Sequence, residues 1–229
     1  MRQLRKKPLT LGLVSAALAA SPAYGVTIAA TNFDTAAQAA LDTMSGIEWT
    51  SDDPFNVTPS TSATYSLLDG DPNPGDPVEP AATANGFQNS GYGATAFAPN
   101  INIQNKADWS AAFSFDLNNG STGTLTGLSF DYQYLTNAGA NQSNSKPVPW
   151  IITVNGTEFA TQTAPDDGNP AGTMNFTGSG DLSTVTNTIE IATDFYTNTF
   201  GWNVGIDNLT FTGDIAVVPE HSAMLLIGS

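Results

Sequence analysis

The sequence has no cysteine, one histidine, and only six Lys and Arg side chains among its 229 residues. Without cysteine there is no thiol catalysis, no thiolate metal site and no disulfide, so packing or bound ions must stabilise the fold. The lone histidine, His221, lies beyond the last predicted strand. It is badly placed for a Ser-His-Asp triad, whose base must lie within hydrogen-bond reach of the nucleophile. One histidine also cannot build a histidine-rich zinc site.

Most of the positive charge falls in the first 25 residues, which have the pattern of a signal peptide. Four of the six basic side chains precede an apolar stretch from Leu9 to Ala20, and a small-x-small cleavage site follows at residues 23–25. The apolar stretch is shorter than the ~20 residues that a membrane-spanning helix needs. We therefore predict that residues 1–25 are an export signal that takes no part in the fold.

The chain that remains after export is strongly acidic. Its two basic residues, Lys106 and Lys146, stand against 21 acidic ones, a net charge of −19. Proteins bind nucleic acid by neutralising phosphates with Lys and Arg, so this surface excludes nucleic acid as a partner. Divalent cations and neutral glycans remain as partners.

Helical periodicity occurs in one short stretch only. Thr35 and Gln38 have the spacing of a capping box, and alanines and Leu41 follow them. This pattern predicts one short helix near the N-terminus.

Elsewhere the apolar residues alternate with polar ones, as half-buried strands require. The clearest examples are residues 110–117 and 128–135, and the glycines and small polar residues of 118–124 predict a turn that pairs these two strands. Asn155-Gly156 lies between two more β-prone runs and favours a type I′ hairpin turn. The remaining predicted strands lie in residues 25–33, 94–103, 187–195 and 202–213.

This pattern predicts an all-β fold. Short strands joined by polar connections favour an antiparallel, jelly-roll-like β-sandwich over residues 26–216. Four prolines and three glycines in residues 69–86 predict a long loop that interrupts the order of the strands.

Carboxylates are the only side chains left for catalysis, and two of them are enough for a glycosidase. The glutamates are scattered, and the Glu-x-Asp-x-x-Glu strand motif of sandwich-fold glucanases is absent. We therefore assign no catalytic residue and predict that the protein is not an enzyme. A carbohydrate-active hydrolase that uses two carboxylates is the alternative.

Two places in the sequence could bind calcium, and the first is an acidic loop. Asp69, Asp71, Asn73 and Asp76 present oxygens at alternating positions, as in an EF-hand loop. However, Pro74 stands where that loop needs glycine, and the twelfth position is proline rather than glutamate. The interpretation as a solvated acidic loop is favoured.

The second calcium hypothesis pairs Asp34, soon after the first predicted strand, with Asp207 in the last. "TNFDT" and "GIDNLTF" resemble two elements of jelly-roll carbohydrate-binding modules, in which such acids hold a structural calcium ion. That resemblance implies a site formed by Asp34 and Asp207. In the alternative interpretation, Asp34 caps the short helix and Asp207 marks a β-bulge, because the inward phase changes between Ile206 and Leu209.

Exposed aromatic rings are the remaining signal for a ligand, since sugar rings pack on flat aromatic faces. Tyr132 and Tyr134 share a strand face with Phe130 and are predicted to lie in the core. Tyr92, between two glycines, and Trp202, next to a polar loop, are the candidate glycan contacts.

The chain ends in "VVPEHSAMLLIGS", which combines a Val-Pro-Glu step with a short apolar run. It resembles the sorting signal of PEP-CTERM proteins of Gram-negative bacteria, which has Val-Pro-Glu-Pro-Ser/Thr, a membrane helix and a basic tail. Val218, Pro219, Glu220 and Ser222 match that signal. His221 replaces the second proline, and the apolar run is far shorter than a spanning helix, so residues 217–229 are a partial signal.

The resemblance to PEP-CTERM proteins implies a destination and a partner. Such proteins are exported to the cell surface or the extracellular matrix, are processed by an exosortase and are associated with exopolysaccharide. We therefore expect an exported, non-enzymatic β-sandwich protein of the cell surface or extracellular matrix. Binding of a glycan, coating of the surface and bridging of polymer chains are the open alternatives for its role. Contact with the membrane is expected only through a C-terminal anchor.

Overall fold

The computed structural model describes residues 24–34, 47–52, 57–67, 87–89, 95–97, 109–117, 121–136, 147–165, 167–184, 186–193 and 202–216. The predicted N-terminal helix, most of the signal peptide, the loop at 69–86, and the sorting signal lie outside these residues. None of the described segments forms a helix long and apolar enough to cross a membrane.

The described residues form eleven strands and no helix. The strands are β1 (Tyr24–Thr31), β2 (Val57–Leu67), β3 (Phe87–Asn89), β4 (Thr95–Phe97), β5 (Trp109–Leu117), β6 (Thr122–Thr136), β7 (Val148–Val154), β8 (Thr157–Ala164), β9 (Ala171–Leu182), β10 (Asn187–Thr193) and β11 (Trp202–Ala216). All pairings are antiparallel, and the strands divide between two sheets. The all-β antiparallel sandwich predicted from the sequence is confirmed.

The first sheet has the order β3-β4-β11-β6-β9, and β1 also pairs with β11. The second sheet has the order β2-β5-β10-β7-β8. In both β7 and β10, every second residue is buried, because one face of each strand packs on the opposite sheet. Ile189 and Ile191 are fully buried, as the alternating pattern predicts.

Two tryptophans lie at the centre of the core between the sheets. Trp109 and Trp150 are fully buried, and their rings meet edge to face with centroids 5.6 Å apart. The indole Nε1 of Trp109, on β5, donates a hydrogen bond of 3.1 Å to the carbonyl oxygen of Val204 on β11. This bond joins the two sheets directly. Tyr132 and Tyr134 are also buried, which confirms that they belong to the core.

The hairpin predicted at Asn155-Gly156 is confirmed. β7 and β8 pair across this turn, and both turn residues have positive φ, 51° for Asn155 and 78° for Gly156. A type I′ turn needs positive φ at both central positions, and Asn and Gly are the residues that adopt it most readily.

The pairing predicted for residues 110–117 and 128–135 is wrong. Both segments are strands, but β5 pairs with β2 and β10 in one sheet, whereas β6 pairs with β11 and β9 in the other. The chain therefore passes from one sheet to the other between the end of β5 at Leu117 and the start of β6 at Thr122. A turn signal indicates that the chain changes direction, but it does not indicate which strand becomes the neighbour.

β11 has the most neighbours in the first sheet. It pairs along its length with β6 on one side, and on the other side first with β4 and then with β1. Tyr24 and Gly25, assigned above to the signal peptide, are the first residues of β1 and pair with Ile215 and Asp214.

Candidate functional site

The candidate site lies on β11, where its neighbour changes from one strand to another. β4 pairs with β11 at Ile206, and β1 pairs with it from Leu209 onward. Asp207 and Asn208 lie between these two pairings, so neither β1 nor β4 pairs with β11 at this point.

A β-bulge shapes the strand at the same point. The register between β11 and β6 shifts between Asp207 and Thr210, and Asn208 has a φ of 50°. Ile206 and Leu209 are both fully buried although they are three positions apart. The bulge inserts one extra residue between them, so that side chains face the core again after it. This confirms the bulge that the sequence pattern around Asp207 indicated.

Hydrogen bonds connect the bulge to β6 directly and, through Asp131, to β9. The side-chain amide of Asn208 donates to Asp131 Oδ2 on β6 at 2.8 Å. The hydroxyl of Thr173, on β9, donates to Asp131 Oδ1 at 2.5 Å. The backbone amide of Asn208 donates to Asp207 Oδ1 at 2.7 Å. Asp131 therefore has both oxygens engaged and connects three strands.

Asp207 is an unusual carboxyl group because it is only 2% exposed. Its pKa is raised to about 6, mainly by burial and in smaller part by the nearby charges of Asp34 and Asp131, while the hydrogen bond from the Asn208 amide opposes the shift. The protein thus brings together Asp34 and Asp207, the two acids that the sequence paired. It adds a third, Asp131.

Asp34 is held by a tight turn at the end of β1. Phe33 is fully buried with a φ of 58°, and its amide donates to the Thr31 hydroxyl at 3.1 Å. The Asn32 side-chain amide donates to Asp34 Oδ2 at 2.7 Å, and the Asp34 amide donates to Asn32 Oδ1 at 3.3 Å. The buried ring fixes the turn, and Asp34 is left exposed.

Residues 47–52 form the facing wall. Thr50 and Ala30 exchange two backbone hydrogen bonds of 2.9 Å. The indole ring of Trp49 stacks on Phe211 at 5.9 Å, with an interplanar angle of 27°. These contacts fix the segment against β1 and β11, and Glu48, which directly precedes Trp49, is exposed.

The turn, the wall and the bulge enclose a pocket of about 570 Å³. Its polar lining consists of two carboxylates, two amides and three hydroxyls, from Asp34, Glu48, Asn32, Asn208, Thr31, Thr50 and Thr210. No aromatic ring is among the lining residues that the structure describes, and Asp207 lies beside the pocket without lining it. Such a surface can both donate and accept hydrogen bonds.

One of the two candidate glycan contacts lies on a described strand. Tyr92 lies outside the described residues, and Trp202 is the first residue of β11, where it pairs with Thr136. The sequence analysis missed Glu48, Asp131 and Asn208. The sequence shows Asp131 only as an outward-facing residue on an alternating strand. It shows Glu48 only as a neighbour of an aromatic residue.

The described residues contain no group of three or more His, Cys, Asp or Glu side chains arranged to hold a metal ion. The charges of Asp34 and Asp131 each lie near enough to Asp207 to raise its pKa. Two carboxylates supplemented by amide, hydroxyl or backbone oxygens remain as the donor set for a cation.

Comparison with known proteins gives structural likeness only. No family model matches the chain, and no curated protein is similar to it. A family 35 carbohydrate-binding module from an environmental isolate is similar with a TM-score of 0.37 and 18% identity, over 60% of this chain and 96% of that one. The family 35 module of Clostridium thermocellum has a TM-score of 0.33 and 13% identity, over 71% and 92%.

A hydrolase is also among the similar structures. The exo-beta-1,3-galactanase of Phanerochaete chrysosporium has a TM-score of 0.28 and 14% identity, over 57% of this chain and 25% of that one. All three TM-scores are below 0.5, so function has to be argued from the site.

Proposed function

We propose that the protein is an exported, non-enzymatic binding protein that holds a neutral glycan in the pocket beside the β11 bulge. The observation that carries this proposal is the lining of the pocket, which combines carboxylate, amide and hydroxyl groups on fixed walls. Sugar hydroxyls both donate and accept hydrogen bonds, and this mixture satisfies both roles. A pocket of about 570 Å³ lies within the range of small-molecule sites.

Charge supports a neutral ligand over an anionic one. Asp34 and Glu48 line the pocket, Asp131 and Asp207 lie beside it, and the chain without its signal peptide has a net charge of −19. A uronate or sulfated polymer would be repelled before it reached the site. Neutral hexose polymers do not meet this barrier.

The position of Asp207 supports binding over hydrolysis. A glycosidase needs one carboxyl group with a raised pKa as its general acid. Asp207 is the carboxyl group here whose pKa is raised, to about 6, but it is 2% exposed and does not line the pocket. The alternative function is a hydrolase in which Asp34 and Glu48 form the carboxylate pair. Release of reducing ends from a neutral polysaccharide, lost in Glu48→Gln, would establish it.

The export signal and the partial sorting signal support a position at the cell surface or in the matrix. We propose that an exosortase-type enzyme processes the protein where the full signal exists, and that Val218, Pro219, Glu220 and Ser222 belong to that signal. Fractionation of a Gram-negative host that expresses the protein tests this proposal. Retention of the uncleaved chain in the cytoplasm would contradict it.

Glu48→Gln and Asp34→Asn are expected to weaken glycan binding by roughly tenfold each, because each removes one charged acceptor, a loss of about 1.4 kcal/mol. Both changes keep the shape of the side chain. A glycan array of neutral polysaccharides identifies the ligand, and calorimetric titration with it measures the affinity.

Asp116→Asn is the matched control, because Asp116 is an exposed carboxylate on β5 in the other sheet. Its affinity should equal that of the unchanged protein. If all three variants bind the glycan as tightly as the unchanged protein does, this pocket is not the binding site. Absence of binding to every glycan on the array would favour a purely structural role.

Binding of a calcium ion between Asp34 and Asp207 is the second candidate function. It is favoured because the carboxyl group of Asp207 is buried and the negative charges of Asp34 and Asp131 lie near it. Calcium accepts carboxylate, amide, hydroxyl and backbone oxygens, which this region offers. We expect calcium to release heat on titration and to raise the melting temperature by several degrees, as ligands of the native state do. Sodium chloride at equal ionic strength is the control. Absence of both effects would refute the site, as would their persistence in Asp34→Asn.

A further inference from the structure

A second pocket lies toward the other end of β9. At the β11 bulge, Thr173 of β9 hydrogen-bonds Asp131, whereas the second pocket is lined by Ser179, Gly180 and Asp181. At ~3.3 Å per residue, these positions lie roughly 20 Å farther along the strand. The two pockets are therefore separate sites. The second has a volume of about 190 Å³, which suits one sugar ring rather than a chain.

One wall of the second pocket is the turn between β7 and β8, and it is fixed. The Asn155 side-chain amide donates to the Asp181 carbonyl at 3.1 Å and to Asn187 Oδ1 at 3.0 Å. Its side-chain oxygen accepts from the Thr188 amide at 2.9 Å. Asn187 is fully buried and accepts from the Ser183 amide at 2.8 Å. The turn therefore holds its place before any ligand arrives, which lowers the entropic penalty of binding.

The opposite part of the pocket is formed where β8 approaches β9. A Cβ atom on Gly178 would lie 2.9 Å from Cε2 of Phe159, and one on Gly180 would lie 3.0 Å from Cβ of Val154. Glycine at these two positions lets β9 come this close to β8 and to the end of β7. The Phe159 ring is half-buried against the core and also lines the pocket.

Two carboxylates complete the lining. Glu158 of β8 and Asp181 of β9 are both exposed, and the Glu158 Oε1 accepts a hydrogen bond from the Thr161 hydroxyl at 3.1 Å. An aromatic ring beside two carboxylates attracts a cation through both the ring face and the negative charges. No Lys or Arg lies among the lining residues that the structure describes.

We propose that this pocket binds a protonated amino sugar, such as one glucosamine unit of a deacetylated hexosamine polymer. The ammonium group meets Glu158 and Asp181, and the apolar part of the sugar ring packs on Phe159. The net charge of −19 that remains after removal of the signal peptide steers such a polycation toward the protein. This site goes beyond the neutral-glycan pocket and does not depend on it. With both sites active, one molecule connects two kinds of chain.

The test is calorimetric titration of the purified protein with a glucosamine oligosaccharide and with its fully N-acetylated counterpart, at pH 6. We expect the free-amine oligomer to bind and its affinity to fall as salt is raised. The double variant Glu158→Gln/Asp181→Asn should lose roughly tenfold in affinity, and Phe159→Leu should lose several-fold. Both substitutions in the double variant are isosteric, and its melting temperature reports whether the fold is kept.

Two controls separate this site from the first pocket. Glu190→Gln, on β10, changes the charge at a position outside the second pocket, and Glu48→Gln changes the first pocket. Neither should alter the affinity for the amine. Equal binding of the N-acetylated oligomer, or unchanged affinity in the double variant, overturns the proposal. Loss of affinity in Glu48→Gln instead would assign the amine to the first pocket.

Discussion

Trp109→Phe is expected to unfold several degrees below Trp150→Phe, although both tryptophans are fully buried in the same cluster. The difference lies in the indole nitrogens. Trp109 Nε1 donates to the Val204 carbonyl across the sandwich, whereas Trp150 Nε1 is buried with no partner among the described groups. Both changes leave a cavity, but only the first removes a hydrogen bond between the sheets.

The expected difference in the free energy of unfolding is ~1–3 kcal/mol, the penalty for losing a buried hydrogen bond partner. For a domain of this size, it corresponds to roughly 3–10 °C in melting temperature. Replacement of either tryptophan by alanine should remove ~3–5 kcal/mol. Chemical denaturation of both phenylalanine variants measures the difference. Equal stabilities would mean that the bond to Val204 contributes nothing to holding the sheets together.

Asp207→Asn is expected to stabilise the protein at pH 7.5 by ~1–3 kcal/mol in the absence of calcium. The pKa of Asp207 is raised to about 6 in the folded protein, above its ordinary 3.8. The folded state therefore binds the proton more tightly than the unfolded state does. Stability from this group is fully present below about pH 4, falls as the pH rises toward 6, and is absent above it. Asparagine keeps the shape and remains neutral throughout.

The measurement is the difference in unfolding free energy between the two proteins from pH 4 to pH 8. Subtraction cancels the contributions of groups such as Asp52 and Asp167, whose pKa values are lowered by hydrogen bonds from Thr27 and from Asn169. The difference should be small at pH 4 and reach its full size above pH 6. A difference independent of pH would show that Asp207 does not titrate in this range.

The same variant separates the effects of the proton and the cation. A bound calcium ion would favour the ionised carboxylate and lower the pKa of Asp207. Calcium should therefore reduce the advantage of Asp207→Asn at pH 7.5 or reverse it. An advantage that stays constant as calcium is added would argue against a site that includes this residue.

Sequence patterns predicted the local features of the fold but not the partners of every strand. Asn155-Gly156 specified its own turn, because the backbone angles of a type I′ turn select those two residues. Alternation placed Ile189, Ile191 and Tyr134 inward, because side chains of a strand point to opposite faces. The assignment of β5 and β6 to different sheets was not predictable, since alternation is the same in either sheet.

The site was predictable in part for a similar reason. Asp34 and Asp207 were paired through a resemblance in two short motifs, and the structure places their charges near each other. Asp131 was missed because one outward acid on a strand looks like any solvated residue. Glu48 was missed because its place depends on the contact between Thr50 and Ala30, twenty residues apart in sequence.

The position of β11 in the first sheet has a consequence for the order in which the chain folds. Residues 202–216 are made after every other described strand, yet β1, β4 and β6 all pair with them. The first sheet therefore cannot form completely until this segment has been made. Contacts between distant parts of a chain also form slowly. The core between the sheets is therefore completed only when the last strand has been made.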